Sequence, residues 1–379
     1  MSNFRIAYLS SFPPKICGIG SYTRDLIAAM NKLAPRITSR VIGLQSSKEN
    51  YNYGPEVVYK IQSDNPDSFI RAATFLNQAN FNVISLQHEY GLYGGEMGDY
   101  IINLLEKLKI PVVTTLHMVL INPTTHQLLV TKKIVDKSRF VIVMTHRSRQ
   151  DLIKIYKADE KKIKVIPHGA QDISCKNPNL IKKKLGLKEK KVLLTVNVIR
   201  SSRGVDLVIK ALSAVLKKFP NLIYVVIGTD PPGEKNKNPY RAELEKLINQ
   251  LGLKKHVLFI DRYLPLDKVN EYIQASDIFL TPYRQPEESS SGSLAYAVVA
   301  GKVCISTPFG YAKEVLGNRR GRIVPWENSQ AIAEEIINLF SHPKIMERLS
   351  KLTYRYGRKM IWSEVAKKYQ NIFLEAAQK

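Results

Sequence analysis

Short apolar runs rich in Val and Ile alternate along the chain with longer stretches in which apolar residues recur at helical spacing. In the first part of the chain, this pattern predicts strands at residues 5–9, 40–43, 83–87, 112–116, 140–144 and 164–166. It predicts helices between them, at residues 21–32, 68–78, 100–107 and 148–156. Apolar strands that alternate with amphipathic helices are typical of a parallel sheet with helices on both faces.

The pattern changes after Pro167-His168-Gly169, where a polar, lysine-rich stretch over residues 170–188 indicates a domain boundary. A second series follows, with predicted strands at residues 191–196, 222–228, 257–260, 278–281 and 302–306. Its predicted helices lie at residues 204–219, 240–251, 266–275, 293–300, 329–340, 345–356 and 363–377. The sequence therefore predicts two α/β domains, with a ligand site expected at the carboxyl ends of the strands, in a cleft between the domains.

The chain is strongly basic. Its 57 Lys and Arg residues outnumber 33 Asp and Glu, which gives a net charge of +24 over 379 residues. Such an excess indicates nucleic acid, an anionic membrane surface or a phosphorylated ligand as a partner. The basic residues are spread over the predicted helices without interleaved aromatic residues, which argues against nucleic acid.

Sequence features that would place the chain in a membrane or outside the cell are weak. No apolar stretch approaches the roughly 18 residues that span a bilayer, and the first residues lack the apolar segment of a secretory signal. Cys17, Cys175 and Cys304 show neither a disulfide framework nor the spacing of metal ligands. We therefore expect a cytoplasmic protein, and peripheral contact with the inner face of the membrane stays open.

A glycine motif comes between the first predicted strand and the first predicted helix. Gly18 and Gly20 would let the backbone approach a ligand, and the amides at the start of the helix suit an anion. A tight turn with Ser21 as the helix N-cap explains the same residues equally well.

Three histidines each follow a predicted strand of the first domain. His88, His117 and His168 come after the strands at residues 83–87, 112–116 and 164–166, so we expect them at one edge of the sheet. A histidine at this edge could hydrogen-bond a substrate hydroxyl or the reacting centre, and a purely structural histidine is the alternative at each position. Zinc ligation is not indicated by their spacing.

Two segments of the second domain have the residue types of an anion site. Arg200 and Arg203 lie in a predicted strand-to-helix loop, where guanidinium groups could bind a phosphate or simply be solvated. The segment Ser291-Gly292-Ser293-Leu294 opens a predicted helix, so its amides would point toward an anion. Glu288, just ahead, could accept hydrogen bonds from sugar hydroxyls, and a plain Ser-rich loop with an N-cap is the alternative.

Taken together and in this order, these motifs resemble those of a GT-B glycosyltransferase of the large retaining family 4. The resemblance rests on Gly18-Ile-Gly20, His117, Pro-His168-Gly169, the Arg-x-x-Arg-Gly loop and the Pro-Glu-Glu-Ser-Ser-Ser-Gly stretch, and covers nearly the whole chain. It implies two Rossmann-like parallel-sheet domains that face a central cleft. Residues 1–172 would form the acceptor-side domain, completed by a C-terminal helix at 360–379, and residues 188–359 the donor-side domain.

The resemblance also implies roles for these residues. Gly18 and Gly20 would contact the donor phosphate, and His117 would lie beside the transferred sugar. Arg203, with Arg200 as its candidate partner, would neutralise the diphosphate. Glu288 matches the first Glu of the family's E-x7-E pattern, which is placed near the transferred sugar.

The chain departs from this family pattern at the second Glu, where it has Tyr296. A tyrosine can still hydrogen-bond a ribose hydroxyl, but it offers no charged acceptor. Glu314, in a stretch over residues 308–314 that is expected to be a loop near the donor's ribose, could compensate. The departure leaves open whether the donor is a GDP- or UDP-sugar or a sugar 1-phosphate.

The reaction implied by the resemblance is the retaining transfer of a hexose, with mannose as one candidate, from a nucleotide sugar to a glycan or lipid-linked acceptor hydroxyl, as in polysaccharide biosynthesis. The resemblance implies that no metal and no other cofactor is needed, and the absence of an Asp-x-Asp motif from the sequence agrees with this. His88, Glu89, Tyr90 and His168 are candidates for the acceptor side. A phosphorylase-like enzyme of the same fold, and a non-catalytic protein that binds sugar or nucleic acid, are the alternatives.

Overall fold

The computed structural model describes residues 4–173, 177–230 and 238–378, so Cys175 lies outside the described part of the chain. The chain divides into two compact units. Unit 1 comprises Met1–Gly169 and Trp362–Lys379, and unit 2 comprises Ala170–Ile361. Residues 170–188, which the sequence indicates as a boundary segment between domains, therefore belong to unit 2.

Unit 1 is built on a sheet of seven strands, all paired in parallel, in the order β3-β2-β1-β4-β5-β6-β7. In chain order its elements are β1 (Arg5–Ser10), α1 (Gly18–Leu33), β2 (Thr38–Gln45), β3 (Val57–Gln62), α2 (Pro66–Gln78), β4 (Val83–His88), α3 (Ile101–Leu105), β5 (Val112–Leu116), α4 (Thr125–Lys137), β6 (Phe140–Val143), α5 (His146–Lys154) and β7 (Ile163–Val165).

Unit 2 contains a second parallel sheet, of six strands in the order β10-β9-β8-β11-β12-β13. Its elements are α6 (Pro178–Lys184), β8 (Lys191–Val196), α7 (Val205–Leu216), β9 (Leu222–Ile227), α8 (Pro239–Gln250), β10 (Val257–Ile260), α9 (Leu266–Ala275), β11 (Ile278–Thr281), α10 (Gly292–Val299), β12 (Val303–Ser306), α11 (Gly310–Leu316), β13 (Arg322–Ile323), α12 (Ser329–Ser341) and α13 (Pro343–Gly357).

The last helix, α14 (Trp362–Ala377), returns to unit 1 and is fixed there by buried hydroxyl groups. The Tyr369 hydroxyl lies 2.9 Å from the Tyr22 hydroxyl of α1 and 2.9 Å from Thr115 Oγ1 of β5. Phe373 meets the Tyr8 ring of β1 edge to face at 6.1 Å. The helix is thus part of the core of unit 1, so a change in α14 would reach the strands that carry the candidate histidines.

The central strands of unit 1 are buried on both faces, which explains their continuous apolar pattern. Every residue of β4 and β5 is buried. The polar residues among them have hydrogen-bond partners, since Gln87 Nε2 donates to Ser85 Oγ at 3.0 Å and Thr114 Oγ1 lies 2.7 Å from Ser138 Oγ. Buried polar groups in this sheet are therefore mostly satisfied, which makes the exceptions informative.

Two helices of unit 2 lie where the sequence analysis predicts none. The lysine-rich segment contains helix α6, in which Ile181 is buried and Lys182 Nζ bonds both carboxylate oxygens of Asp277 at 2.7 and 2.8 Å. The expected loop at 308–314 is largely helix α11, whose Tyr311 and Ala312 are buried. In both helices only a few residues are buried, and the lysines, prolines or glycines among them interrupt the apolar pattern that would indicate a helix.

The strands β3 and β13 and the helix α4 are additional elements that the sequence pattern missed. Within the described residues, no helix is long and apolar enough to cross a membrane.

Candidate functional site

The glycine motif lies inside helix α1 rather than in a loop ahead of it. The helix begins at Gly18 with Cys17 as its N-cap, and the Ser21 amide bonds the Cys17 carbonyl as an interior residue does. The expectation that Ser21 caps the helix is therefore wrong. A Cβ at Gly20 would lie 3.2 Å from the Ser11 carbonyl oxygen, whereas one at Gly18 would meet open space. Only Gly20 is needed for close packing, and the contact of either glycine with phosphate stays a prediction.

His117 and His168 of unit 1 pack against the same tyrosine ring. The Tyr22 ring meets the His117 ring at 4.9 Å and the His168 ring at 5.0 Å, both edge to face. His117 Nε2 donates to Gln87 Oε1 at 2.9 Å, and His168 Nδ1 donates to the Gly169 carbonyl at 2.7 Å. The structure thus brings two of the three predicted histidines together.

Tyr22 and Trp362, which sequence reasoning missed, complete this cluster. The Trp362 ring meets the Tyr22 ring at 5.0 Å. A Cβ at Gly169 would come within 2.3 Å of Trp362 Cε3, so the indole occupies the space that any side chain at 169 would need. Their partners are far apart in sequence, so no local pattern could have indicated them.

His88 is buried beside the cluster, at the end of β4. Its ring stacks on Tyr93 at 5.8 Å and meets Tyr90 edge to face at 5.3 Å. Its backbone carbonyl accepts a hydrogen bond from the His117 amide at 3.0 Å. Neither ring nitrogen has a hydrogen-bond partner among the described residues. Because an unsatisfied buried imidazole costs stability, this histidine calls for a functional explanation.

Burial makes all three imidazoles neutral. It lowers the pKa of His88 and of His168 to about 4, and burial together with the neighbouring histidines lowers the pKa of His117 to about 3. A neutral imidazole donates one hydrogen bond and accepts another but brings no positive charge. This region therefore suits hydroxyl groups rather than phosphates.

Glu89 and Tyr90 have structural partners of their own. A carboxylate oxygen of Glu89 accepts from the Gly91 amide at 2.9 Å, which caps a short turn, and the Tyr90 hydroxyl lies 2.7 Å from Thr131 Oγ1 of α4. Their contact with an acceptor stays a prediction.

In unit 2, Arg203 and Glu288 form an ion pair. Arg203 Nη1 lies 2.8 Å from Glu288 Oε2, and their side chains are only 16% and 14% exposed. Arg200, at the start of the same turn, is exposed. The turn ends at Gly204, whose φ is +66° and where a Cβ would lie 2.0 Å from the Pro282 carbonyl oxygen. Glycine is therefore required there for the loop to lie against Pro282.

Tyr283, which the sequence analysis missed, connects Arg203 to the start of helix α10. The Arg203 guanidinium lies 4.6 Å above the Tyr283 ring, which stacks on Phe309 at 4.8 Å. The Tyr283 hydroxyl accepts from Asn197 Nδ2 at 2.6 Å and lies 3.0 Å from Ser293 Oγ. The available signal in the sequence was an aromatic residue, Tyr283, two positions after the predicted strand at 278–281.

The start of α10 has the predicted Ser-rich residues, Ser291, Gly292, Ser293 and Leu294. Ser291 is its N-cap, and the Ser291 hydroxyl accepts from the Leu294 amide at 3.4 Å. Tyr296 is half-buried in the same helix. Tyr283 therefore links the ion pair, through a cation–π contact, to this helix start, through a hydrogen bond, and the charge with the helix N-terminus suits an anion.

Helix α11 holds the backbone on both sides of Glu287. The Gly310 amide donates to the Pro286 carbonyl at 3.3 Å and the Tyr311 amide donates to the Glu288 carbonyl at 3.2 Å. Glu314 is half-buried in this helix. A contact between Glu314 and a ribose stays a prediction.

A further cationic residue, Arg284, bonds the loop before α7. Its guanidinium reaches both carboxylate oxygens of Asp206 at 2.8 and 2.9 Å, Glu327 at 2.5 Å and the Ser201 carbonyl at 2.6 Å. Burial alone would raise the pKa of Asp206, but hydrogen bonds from Arg284 and Tyr240 lower it to about 2. Asp206 is therefore a fixed negative charge under the loop.

Binding of a metal ion would need a group of ligand side chains. Within residues 4–173, 177–230 and 238–378, no three His, Cys, Asp or Glu side chains are grouped so that they could hold a metal ion.

Unit 1 also has an open cavity of about 590 Å³ between β7, α5 and α14, whose polar lining includes His146, Arg149, Lys164 and Lys368. None of the predicted site residues lines this cavity.

Comparison with known families matches both halves of the chain. Residues 16–172 match the family described as Glycosyltransferase Family 4, and residues 177–356 match Glycosyl transferases group 1. Together these two matches leave only the ends and a short connection uncovered.

Curated relatives align with part of the chain. Spore coat protein SA of Bacillus subtilis is 29% identical over 198 residues, which is 51% of this chain and 51% of that protein. The D-inositol 3-phosphate glycosyltransferase of Corynebacterium glutamicum is 24% identical over 261 residues, 65% of this chain and 59% of that enzyme. The aligned part thus spans between half and three fifths of the length of these relatives.

Solved structures resemble the chain over its whole length. HepE of Anabaena, solved with UDP and glucose, has a TM-score of 0.77 at 15% identity, covering 98% of this chain and 100% of that one. At this identity the likeness shows the fold, which is GT-B, and the predicted pair of Rossmann-like parallel-sheet domains is confirmed.

Proposed function

Because the chain belongs to the group 1 glycosyltransferases of family 4, we propose that it transfers a hexose from a nucleotide sugar to an acceptor hydroxyl, with retention at the anomeric carbon. The observation that carries this proposal is the half-buried Arg203, whose guanidinium lies over Tyr283, which in turn contacts Ser293 at the start of α10. Loss of a diphosphate leaving group needs such fixed positive charge.

Arg203 would bind the donor's diphosphate. Its guanidinium already lies in a site largely shielded from water, where a charge acts more strongly than at the surface. Its Nε is buried and has no hydrogen-bond partner among the described residues, an exception among buried donors, which normally have one. The amides of Gly292, Ser293 and Leu294 would add further donors to the leaving phosphate.

The neutral histidines of unit 1 would orient hydroxyl groups. His117 would contact the transferred sugar, while His88 and His168 would serve the acceptor together with Glu89 and Tyr90. His168 donates from Nδ1, so its Nε2 is the hydrogen-bond acceptor of the neutral ring. The leaving phosphate would take the acceptor's proton, and neither a metal nor another cofactor would take part.

For the donor we propose a UDP- or GDP-sugar, with glucose and mannose as the first hexoses to test. The UDP bound by HepE supports a nucleoside diphosphate. Tyr296, in place of an acidic ribose contact, favours a second candidate, a phosphorylase-like enzyme that uses a sugar 1-phosphate. The identity of the released group, nucleoside diphosphate or orthophosphate, separates the two.

A thermal-shift screen of the intact chain against UDP, GDP, ADP and glucose 1-phosphate tests the function. A ligand at a hundred times its Kd stabilises the folded state by about 2.7 kcal/mol, so UDP or GDP should raise the midpoint of unfolding measurably. A shift with glucose 1-phosphate alone would favour the second candidate. No shift with any of these ligands contradicts both.

For the acceptor we propose a glycan or a lipid-linked hydroxyl presented at an anionic membrane surface. The basic cavity lined by Arg149, Lys164 and Lys368 supports contact of unit 1 with such a surface. The protein should sediment with phosphatidylglycerol vesicles at low salt and be released at high salt. Exchanging Lys164 and Lys368 for Glu should weaken sedimentation, and equal sedimentation with phosphatidylcholine vesicles would contradict the charge-based contact.

A further inference from the structure

Arg284 contacts the loop that carries Arg203 through both its backbone and its side chain. The Arg284 amide donates to the Ser202 carbonyl at 2.9 Å, and Arg284 Nη1 donates to the Ser201 carbonyl at 2.6 Å. Two consecutive carbonyl groups of the 201–204 loop are therefore held by one residue that lies 78 positions from Asp206 in sequence.

The guanidinium of Arg284 is in turn anchored by two carboxylates. Asp206, in the first turn of α7, takes a bidentate pair of bonds at 2.8 and 2.9 Å. Glu327 takes two more, at 2.5 and 3.1 Å. Because Asp206 lies two residues after Gly204, where the loop ends, Arg284 bonds both the loop's beginning, at Ser201, and the first turn of the helix that follows it.

Only arginine can make this set of bonds. The three acceptors lie around one planar group, and a guanidinium offers five N–H donors in fixed directions, whereas a lysine ammonium acts as a single point charge. The side chain is 24% exposed, so its ion pairs are partly shielded from water. Asp206 is held further by the Tyr240 hydroxyl at 2.7 Å and by Lys210 at 3.2 Å.

Arg284 and its neighbour Tyr283 act on different parts of Arg203. Tyr283 lies under the Arg203 guanidinium, while Arg284 binds the backbone just ahead of it. We propose that Arg284 is a positioning residue, which touches no substrate and keeps the 201–204 loop in the geometry in which Arg203 binds the donor's diphosphate. The second half of this proposal rests on the proposed function.

Hydrogen exchange of the intact chain tests the loop itself without any ligand. In Arg284→Gln, the amides of residues 201–204 should exchange at least about tenfold faster than in the parent, with Arg284→Lys in between. Glu335→Gln is the matched control, because it removes a comparably exposed ion pair, with Arg322, elsewhere in unit 2. Unchanged exchange at 201–204 in Arg284→Gln overturns the proposal.

Calorimetric titration with UDP and GDP tests the consequence for binding. Arg284→Gln should weaken the better ligand about tenfold, and in turnover the donor KM should rise more than kcat falls. Glu327→Gln, which leaves the pair of Arg284 and Asp206 intact, should weaken nucleotide binding in the same direction but less. It replaces Arg284→Gln in the test if that variant fails to fold.

Faster exchange of the 201–204 amides with unaltered nucleotide affinity overturns the positioning role. A parent protein that binds neither nucleotide contradicts the proposed function, while the exchange result still decides whether Arg284 holds the loop.

Discussion

The two candidate regions differ in charge. In unit 1, His88, His117 and His168 are neutral, and the last two lie edge to face against Tyr22. In unit 2, Arg203 and Glu288 are paired, and Arg284 lies between two carboxylates. A buried neutral ring can discriminate hydroxyl groups, whereas a buried guanidinium can neutralise a phosphate.

This difference divides the proposed reaction into two tasks. Unit 2 would stabilise the charge that develops on the leaving diphosphate, and unit 1 would orient sugar and acceptor. Changes at Arg203 and its neighbours in unit 2 should therefore affect nucleotide affinity and rate, whereas changes at the histidines of unit 1 should affect the rate alone.

The largest effect is expected from Arg203→Ala. Removing the guanidinium takes away the charge that stabilises the leaving phosphate, so kcat/KM for hexosyl transfer should fall about 10³-fold. Arg203→Lys, which keeps the charge without its planar geometry, should recover part of the loss. A decrease in kcat/KM of less than about threefold in Arg203→Ala would contradict a role of this residue in the transfer reaction.

A change of Glu288 should have effects of opposite sign on binding and transfer. Glu288→Gln removes the charge that competes for Arg203, so UDP or GDP should bind about threefold more tightly. Transfer should nevertheless fall about 100-fold, because the carboxylate no longer accepts bonds from the sugar. Calorimetry and steady-state rates measure the two effects, and weaker nucleotide binding would show that the pair does not compete with the ligand.

In unit 1, His117→Ala should lower transfer about 30-fold and leave nucleotide affinity unchanged. Since the pKa of His117 is about 3, the rate of the parent should show no titration of this group between pH 5 and 8. His342→Ala, at an exposed histidine between α12 and α13, is the control. A large loss of nucleotide affinity in His117→Ala would contradict the proposed division of tasks, in which Arg203 of unit 2 binds the nucleotide and the histidines of unit 1 orient hydroxyl groups.

The smallest effect is expected from His88→Phe, measured as the free energy of unfolding in urea. An apolar ring in place of unpartnered nitrogens should stabilise the protein by about 1 kcal/mol at pH 7. The pKa of His88 is lowered from about 6.5 in the unfolded chain to about 4, so acidification favours the unfolded state below pH 6.5. The contribution of His88 to that loss amounts to about 2 kcal/mol between pH 7 and 5 and should be absent in the variant. His342→Gln should keep the parent's acid sensitivity, and a destabilised His88→Phe at pH 7 would mean that the imidazole has a partner.

Much of the fold could be predicted from the sequence, because buried parallel strands and amphipathic helices have distinct periodicities. β5, β8, β10, β11 and α9 match the predicted ranges residue for residue. β3 was missed because most of its residues are exposed or half-buried, as in an edge strand. α6 and α11 were missed because lysines, prolines and glycines hide their short apolar faces.

The site was predicted in part, since residue types at strand ends indicated His117, Arg203 and Glu288 as candidates. Their supporting contacts could not be predicted, because each joins distant positions. Tyr22 meets Tyr369 across 347 positions of the chain, and Arg284 meets Asp206 across 78. Only the folded sheet brings these pairs together.

The most direct test is calorimetric titration of UDP and GDP into the parent protein and Arg203→Ala under identical conditions. The proposal predicts that the parent binds one of these nucleotides in a one-to-one complex and that Arg203→Ala binds it at least tenfold more weakly, a loss of about 1.4 kcal/mol. Equal affinity of the two proteins would contradict the assignment of the diphosphate to Arg203.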